Sequence, residues 1–108
     1  MEANEIKEKI DRQRTFFHTG TTLDVSFRIA ALKRLRLMIR RHEKEIEAAL
    51  LLDLKKSSFE SYMCETGLTL SELRYMKRHL RSFSREKRVH TPLAQFPSRS
   101  FQKPVPYG

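Results

Sequence analysis

Phe59, Tyr62, Thr66, Leu70, Leu73, Met76, Leu80 and Phe83 follow one another at steps of three or four residues, and nothing else in the chain restricts its fold so tightly. That spacing draws one apolar stripe down a single face of a helix, whereas a strand would expose half of it. Ser57 or Ser58 can place a hydroxyl over the unpaired amides of the first turn, and Glu60 suits the positive end of the dipole. Lys77, Arg78 and Arg81 crowd the last turns, where cations offset the negative end, and Arg85 to Arg88 follow as a solvated break. The pattern predicts one long helix near 58–83, a rod of roughly 40 Å at about 1.5 Å rise per residue. Gly67 is its one soft spot, costing about 1 kcal/mol relative to Ala. So long a stripe needs something to lie against.

The remaining elements supply partial answers. From 2 to 19, Ile6, Ile10, Phe16 and Phe17 make a narrow apolar edge on a weakly amphipathic helix that Gly20 ends. Asp24 is placed as the N-cap of a second helix, whose apolar set runs Val25, Ile29, Leu32, Leu35, Met38 and Ile39. Arg28, Lys33, Arg34, Arg36, Arg40 and Arg41 cover its other side. At His42 the phase shifts, and Ile46, Ala49, Leu50 and Leu54 imply a third helix. With no Gly or Pro between them, it is expected to join the second through a bend at Arg41 and His42. Lys55 and Lys56 would close it against the negative end of its dipole. Short connections then favour an antiparallel return of the long helix along the second and third. All four prolines, Pro92, Pro97, Pro104 and Pro106, fall in the last stretch, which excludes helix there. The window Ser98 to Lys103 reads as one short strand with no visible neighbour.

Composition narrows the function classes. At 108 residues the chain is one domain at most, and its 39% hydrophobic content is that of a globular protein rather than a disordered one. A single cysteine excludes a disulfide framework and fits a reducing compartment. Neither a signal-peptide apolar region nor a run of the roughly 20 apolar residues of a membrane span is present. A cytoplasmic location is expected. The formal charge of +9 is spread over helical part and tail alike rather than gathered in one basic arm.

Few residues tempt as chemistry. Cys64 lies mid-helix without a glycine-rich turn or an adjacent histidine, and is read as a small buried structural cysteine. His18, His42, His79 and His90 are far apart, with no i, i+4 pair to hold a metal. Glu43, Glu45, Glu47, Glu60, Glu65 and Glu72 stand at helical spacing among Lys and Arg, where surface ion pairs are the default. The basic row from Arg28 to Arg41 is the serious competitor, because such a row attracts phosphate backbones. It has no interleaved aromatics for base stacking and no helix-turn-helix or finger spacing beside it. It is therefore read as a solvated face, and a small basic helical nucleic-acid-binding module stands as the alternative function.

In order, the residues resemble the N-terminus of an aldehyde dehydrogenase of the class 3 or fatty-aldehyde type. The segments that carry this are Phe16 to Gly20 (FFHTG), Phe27 to Leu35 (FRIAALKRL), Ile46 to Lys56 (IEAALLLDLKK), Phe59 to Leu80, Thr91 to Phe96 (TPLAQF) and Lys103 to Gly108 (KPVPYG). The resemblance implies a parent of the α/β aldehyde dehydrogenase fold that oxidises aldehydes to acids with NAD or NADP. In such enzymes a cysteine thiolate attacks the carbonyl, hydride passes to the nicotinamide, and a general base activates water. Relatives carry an apolar strand and a Pro-Trp-Asn-Tyr-Pro motif after the equivalent of Pro-Tyr-Gly, then the glycine-rich turn, the catalytic Glu and the nucleophilic Cys. These 108 residues contain none of those motifs. No catalytic, cofactor-binding or metal-ligating residue is assigned to them, and the cofactor is expected in the parent alone.

The fragment is thus expected to be all-α, with three or four amphipathic helices in 1–84 and an extended proline-rich arm in 85–108 holding at most one strand. By the resemblance, the helices form an outer layer of the parent's cofactor-binding domain and the arm leads into the sheet through which subunits pair. The expected partners are the rest of the parent chain and, in the parent, a second copy. The fragment alone is expected to be inactive.

Overall fold

The structure is a computed structural model, and it describes residues 3–108. Helix α1 spans Ala3–His18, so the expected start at Glu2 lies outside the described residues. Gly20 turns the chain with φ of 77°, a left-handed conformation that glycine adopts without strain, into a 3₁₀ turn at Thr21–Leu23. Asp24 then caps α2 (Val25–Arg41) as expected: Oδ1 accepts from the Ser26 amide at 3.2 Å and Oδ2 from the Phe27 amide at 3.1 Å. One residue, His42, separates α2 from α3 (Glu43–Leu54), which is the bend that the shift of phase implied.

Helix α3 closes differently from the dipole argument. Lys55 sits in the left-handed region at φ 56°, and its amide donates to the Leu51 carbonyl at 3.1 Å. Lys56 turns away to Glu65 instead of lying over the last carbonyls. Ser57 then opens the long helix with a reciprocal cap. Its hydroxyl accepts from the Glu60 amide at 3.2 Å, and a Glu60 carboxylate oxygen accepts from the Ser57 amide at 3.3 Å.

The long helix is present over 58–83 but not as one regular spiral. It begins as α4 (Ser58–Ser61), widens into a π-helical turn at Tyr62–Thr66, and continues as α5 (Gly67–Phe83). In the wide turn the Gly67 amide donates to the Tyr62 carbonyl, five residues back. A Cβ on Gly67 would lie 2.6 Å from that same carbonyl oxygen and 3.0 Å from the Tyr62 ring. The expectation that Gly67 is a soft spot is therefore corrected. Only a residue without a side chain admits the close approach.

Burial along the predicted stripe is uneven. Leu80 is the one buried apolar side chain among the described residues, Thr66 is buried, and Leu70 and Leu73 are half-buried. Phe59, Tyr62, Met76 and Phe83 are exposed.

The arm holds two strands where at most one was expected. β1 (Lys87–Val89) pairs antiparallel with β2 (Ser100–Gln102) in the register Lys87 to Gln102, Arg88 to Phe101 and Val89 to Ser100. The neighbour that the Ser98 to Lys103 window lacked is thus the segment taken for a solvated break. Its three residues KRV are too few to show alternation, so their charge masked a strand. Between the strands run a 3₁₀ turn at Leu93–Gln95 and a cis Phe96–Pro97 peptide. A Thr91 hydroxyl bond to the Ser100 hydroxyl at 2.9 Å and a Lys103–Glu86 ion pair at 3.3 Å fasten the ribbon at its two ends.

Packing divides the chain into two units, residues up to Phe27 with Leu80–Gly108, and Arg28–His79. In the first, the Phe16 and Phe27 rings meet with centroids 6.3 Å apart, joining α1 to the start of α2. In the second, α2 and the widened helix line a recess where Arg36, Arg40 and Arg74 converge.

Candidate functional site

Arg36 and Arg40 lie one turn apart on α2, and Arg74 lies on α5. Together with Tyr62, Gly67, Leu70 and Ser71 they line a pocket of about 170 Å³. No carboxylate lines it. None of the three arginines belongs to an ion pair among the described residues. The Arg36 Nε is shielded from water and has no hydrogen-bond acceptor. A buried donor left unpaired costs about 1–3 kcal/mol, and three clustered guanidinium groups add repulsion. Guanidinium forks match the oxygens of carboxylates and phosphates. The arrangement can therefore hold an anion, but no carboxylate, histidine or cysteine lines it to act as a general base or thiolate nucleophile.

The sequence reading treated Arg28 to Arg41 as one solvated face. In the structure most of that row is solvated as expected, with Lys33, Arg34, Arg40 and Arg41 exposed; Arg36 departs from it, half-buried in the recess that Arg40 also lines. The i, i+4 spacing of Arg36 and Arg40 was a usable signal for half of the cluster. Arg74 had no local signal, because it arrives from another helix.

The other candidates stay separate. Cys64 is exposed within the π-helical turn, which corrects the expectation of a buried cysteine; the turn buries Thr66 instead, and Ser61 just before it is buried at the end of α4. Beside it, Lys56 Nζ donates to Glu65 Oε1. That bond, more than any other cause, raises the Lys56 pKa above its ordinary value. His42 Nδ1 lies 3.1 Å from Glu45 Oε2, and His79 Nδ1 lies 2.9 Å from the Tyr75 carbonyl with its ring 4.2 Å from that of Tyr75. His18 packs edge-on to Phe17 at the end of α1, and His90 lines a shallow cleft in the ribbon loop with Arg88, Phe96 and Arg99. No group of three or more His, Cys, Asp or Glu side chains among the described residues is placed to hold a metal. No helix among them is long and apolar enough to cross a membrane.

No protein-family model matches the chain. Individual proteins do. The chain is 39% identical over 105 residues to the 4,4'-diaponeurosporen-aldehyde dehydrogenase of Staphylococcus aureus, an alignment covering 97% of this chain and 23% of that protein. It is 37% identical over 93 residues to the dimeric NADP-preferring aldehyde dehydrogenase of Canis lupus familiaris, covering 85% of this chain and 20% of that protein. Among solved structures, the substrate-bound state of Staphylococcus aureus AldH superposes with a TM-score of 0.86 at 37% identity, over 95% of this chain and 22% of that one. The chain thus spans about a fifth to a quarter of the length of the relatives it matches. The homologues of this chain are aldehyde dehydrogenases, family 3 members among them, matched along their N-terminal part.

Proposed function

We propose that these residues are the N-terminal helical layer of an NAD(P)-dependent aldehyde dehydrogenase, and that their role in it is structural. Residues 1–84 would cover the outside of the cofactor-binding domain, and 85–108, with their two-stranded ribbon, would lead into the sheet where subunits pair. The observation that carries this is the superposition over 95% of the chain at 37% identity. The exposure of Leu52, Phe59, Leu93 and Phe96, each 74% or more, supports a surface shaped to be covered.

When bound, the dinucleotide supplies the hydride acceptor for aldehyde oxidation. The residues here do not fit it. Gly20, Gly67 and Gly108 are scattered, and none stands between a strand and a helix as a phosphate-cradling turn requires. We assign the cofactor to the remainder of the whole protein and no step of the reaction to this chain. The whole protein is proposed to be a cytoplasmic homodimer.

The test is expression of the full reading frame that encodes these residues, followed by assay of aldehyde-dependent reduction of NAD and of NADP, with an apolar aldehyde among the substrates. Turnover is expected from the full product and neither NAD binding nor turnover from 1–108 alone. Oxidation of an aldehyde by 1–108 above the uncatalysed rate, or an inert full product, overturns the reading.

A further inference from the structure

We propose that the recess lined by Arg36, Arg40 and Arg74 is a binding site for a phosphate group. The inference stands on unit geometry alone and does not depend on the dehydrogenase reading. Three guanidinium groups reach one small pocket from two helices, and no acidic side chain meets them there. Surface arginines normally avoid such company unless a counter-charge shares the space. On Arg36 the Nε is also buried without a hydrogen-bond acceptor, a state that buried N–H groups rarely keep.

Charge and oxygen count select the ligand class. A carboxylate brings one charge and two oxygens to three forks, whereas a phosphate dianion brings two charges and at least three oxygens, enough for each arginine to take one. Tyr62 and Ser71, which also line the recess, carry hydroxyls able to donate to a further oxygen. A nucleic-acid backbone is the weaker fit, because it needs an open track of cations and this site is a recess formed between two helices.

The experiment is isothermal titration of inorganic phosphate into the product of the full reading frame that carries these residues, at constant ionic strength, with acetate and chloride as controls and glycerol phosphate as a monoester. Saturable binding of one phosphate per chain is expected, with no saturable heat from acetate or chloride. Glycerol phosphate binding as tightly as the free ion assigns the site to esters, and weaker binding assigns it to the free ion. Arg36→Gln and Arg74→Gln should each weaken binding about tenfold or more, as expected for losing a charge-assisted bidentate contact. Arg34→Gln removes the same charge from the exposed face of α2 and should leave binding unchanged. Because the pocket variants could disturb folding, the Arg36 Nε–H resonance of the unmutated chain gives a second readout, which should shift on phosphate addition and not on acetate addition. Absence of saturable binding, an equal response to acetate, or an equal loss in Arg34→Gln overturns the proposal.

Discussion

Lys56 donates its ammonium hydrogen to Glu65 across nine residues of sequence, tying the residue after the turn that ends α3 to the π-helical turn of the long helix. The bond raises the Lys56 pKa above 10.5. A pKa raised by folding means that the native chain holds this proton more tightly than the unfolded one. The contribution is therefore complete below the ordinary lysine value of 10.5 and is lost as pH climbs past it through the raised one. Melting temperature measured across that alkaline range should fall more steeply for the unmutated chain than for Glu65→Gln, which lacks the acceptor charge. Parallel curves would show that the pair adds nothing.

Gly67→Ala runs against intrinsic preference. In an ordinary helix the change should stabilise by about 1 kcal/mol. Here the new methyl group would meet the Tyr62 carbonyl oxygen at 2.6 Å. Forcing atoms into filled space costs about 1–3 kcal/mol, so net destabilisation is expected in urea titration. A gain in stability would mean that the wide turn relaxes to a regular helix without loss.

Lys55→Gly should act in the opposite direction. Lys55 holds φ of 56°, the one positive φ among the described non-glycine residues. A left-handed residue with a side chain costs roughly 1–2 kcal/mol, of which glycine recovers most, less its greater entropy in the unfolded chain. A gain of about 0.5–1 kcal/mol in denaturant titration is expected.

On the function proposed above, which gives Cys64 no contact with substrate or cofactor, Cys64→Ser in the whole protein should leave kcat/KM for aldehyde oxidation within about twofold of the unmutated value. Loss of activity with unchanged melting behaviour would place Cys64 in the chemistry.

The amphipathic helices were readable because their signal is local. Asp24 announced its cap through residue type and spacing, and Ser57 shared its announcement with Ser58; the structure seats Asp24 and Ser57 so, while the return bond from Glu60, read only as suiting the dipole, is visible in the structure alone. What escaped was decided by distant or geometric facts. Strand β1 becomes a strand only because Ser100–Gln102 comes back to it, and a three-residue KRV segment has no pattern of its own. The widened turn leaves no trace in composition except a glycine, which reads as a defect until the Tyr62 carbonyl is found against it. The arginine recess was half visible in the step from Arg36 to Arg40, and its third member comes from a helix more than thirty residues later.

A turn that closes after five residues rather than four holds one residue more than regular winding needs. Everything downstream of Thr66 is therefore rotated by about 100°, one residue's worth of winding, from where an unbroken spiral would aim it. Removing a single residue between 62 and 66 would not shorten a face. It would reassign it, swinging Leu70, Arg74 and Leu80 away from their present neighbours while leaving every one of them in the sequence.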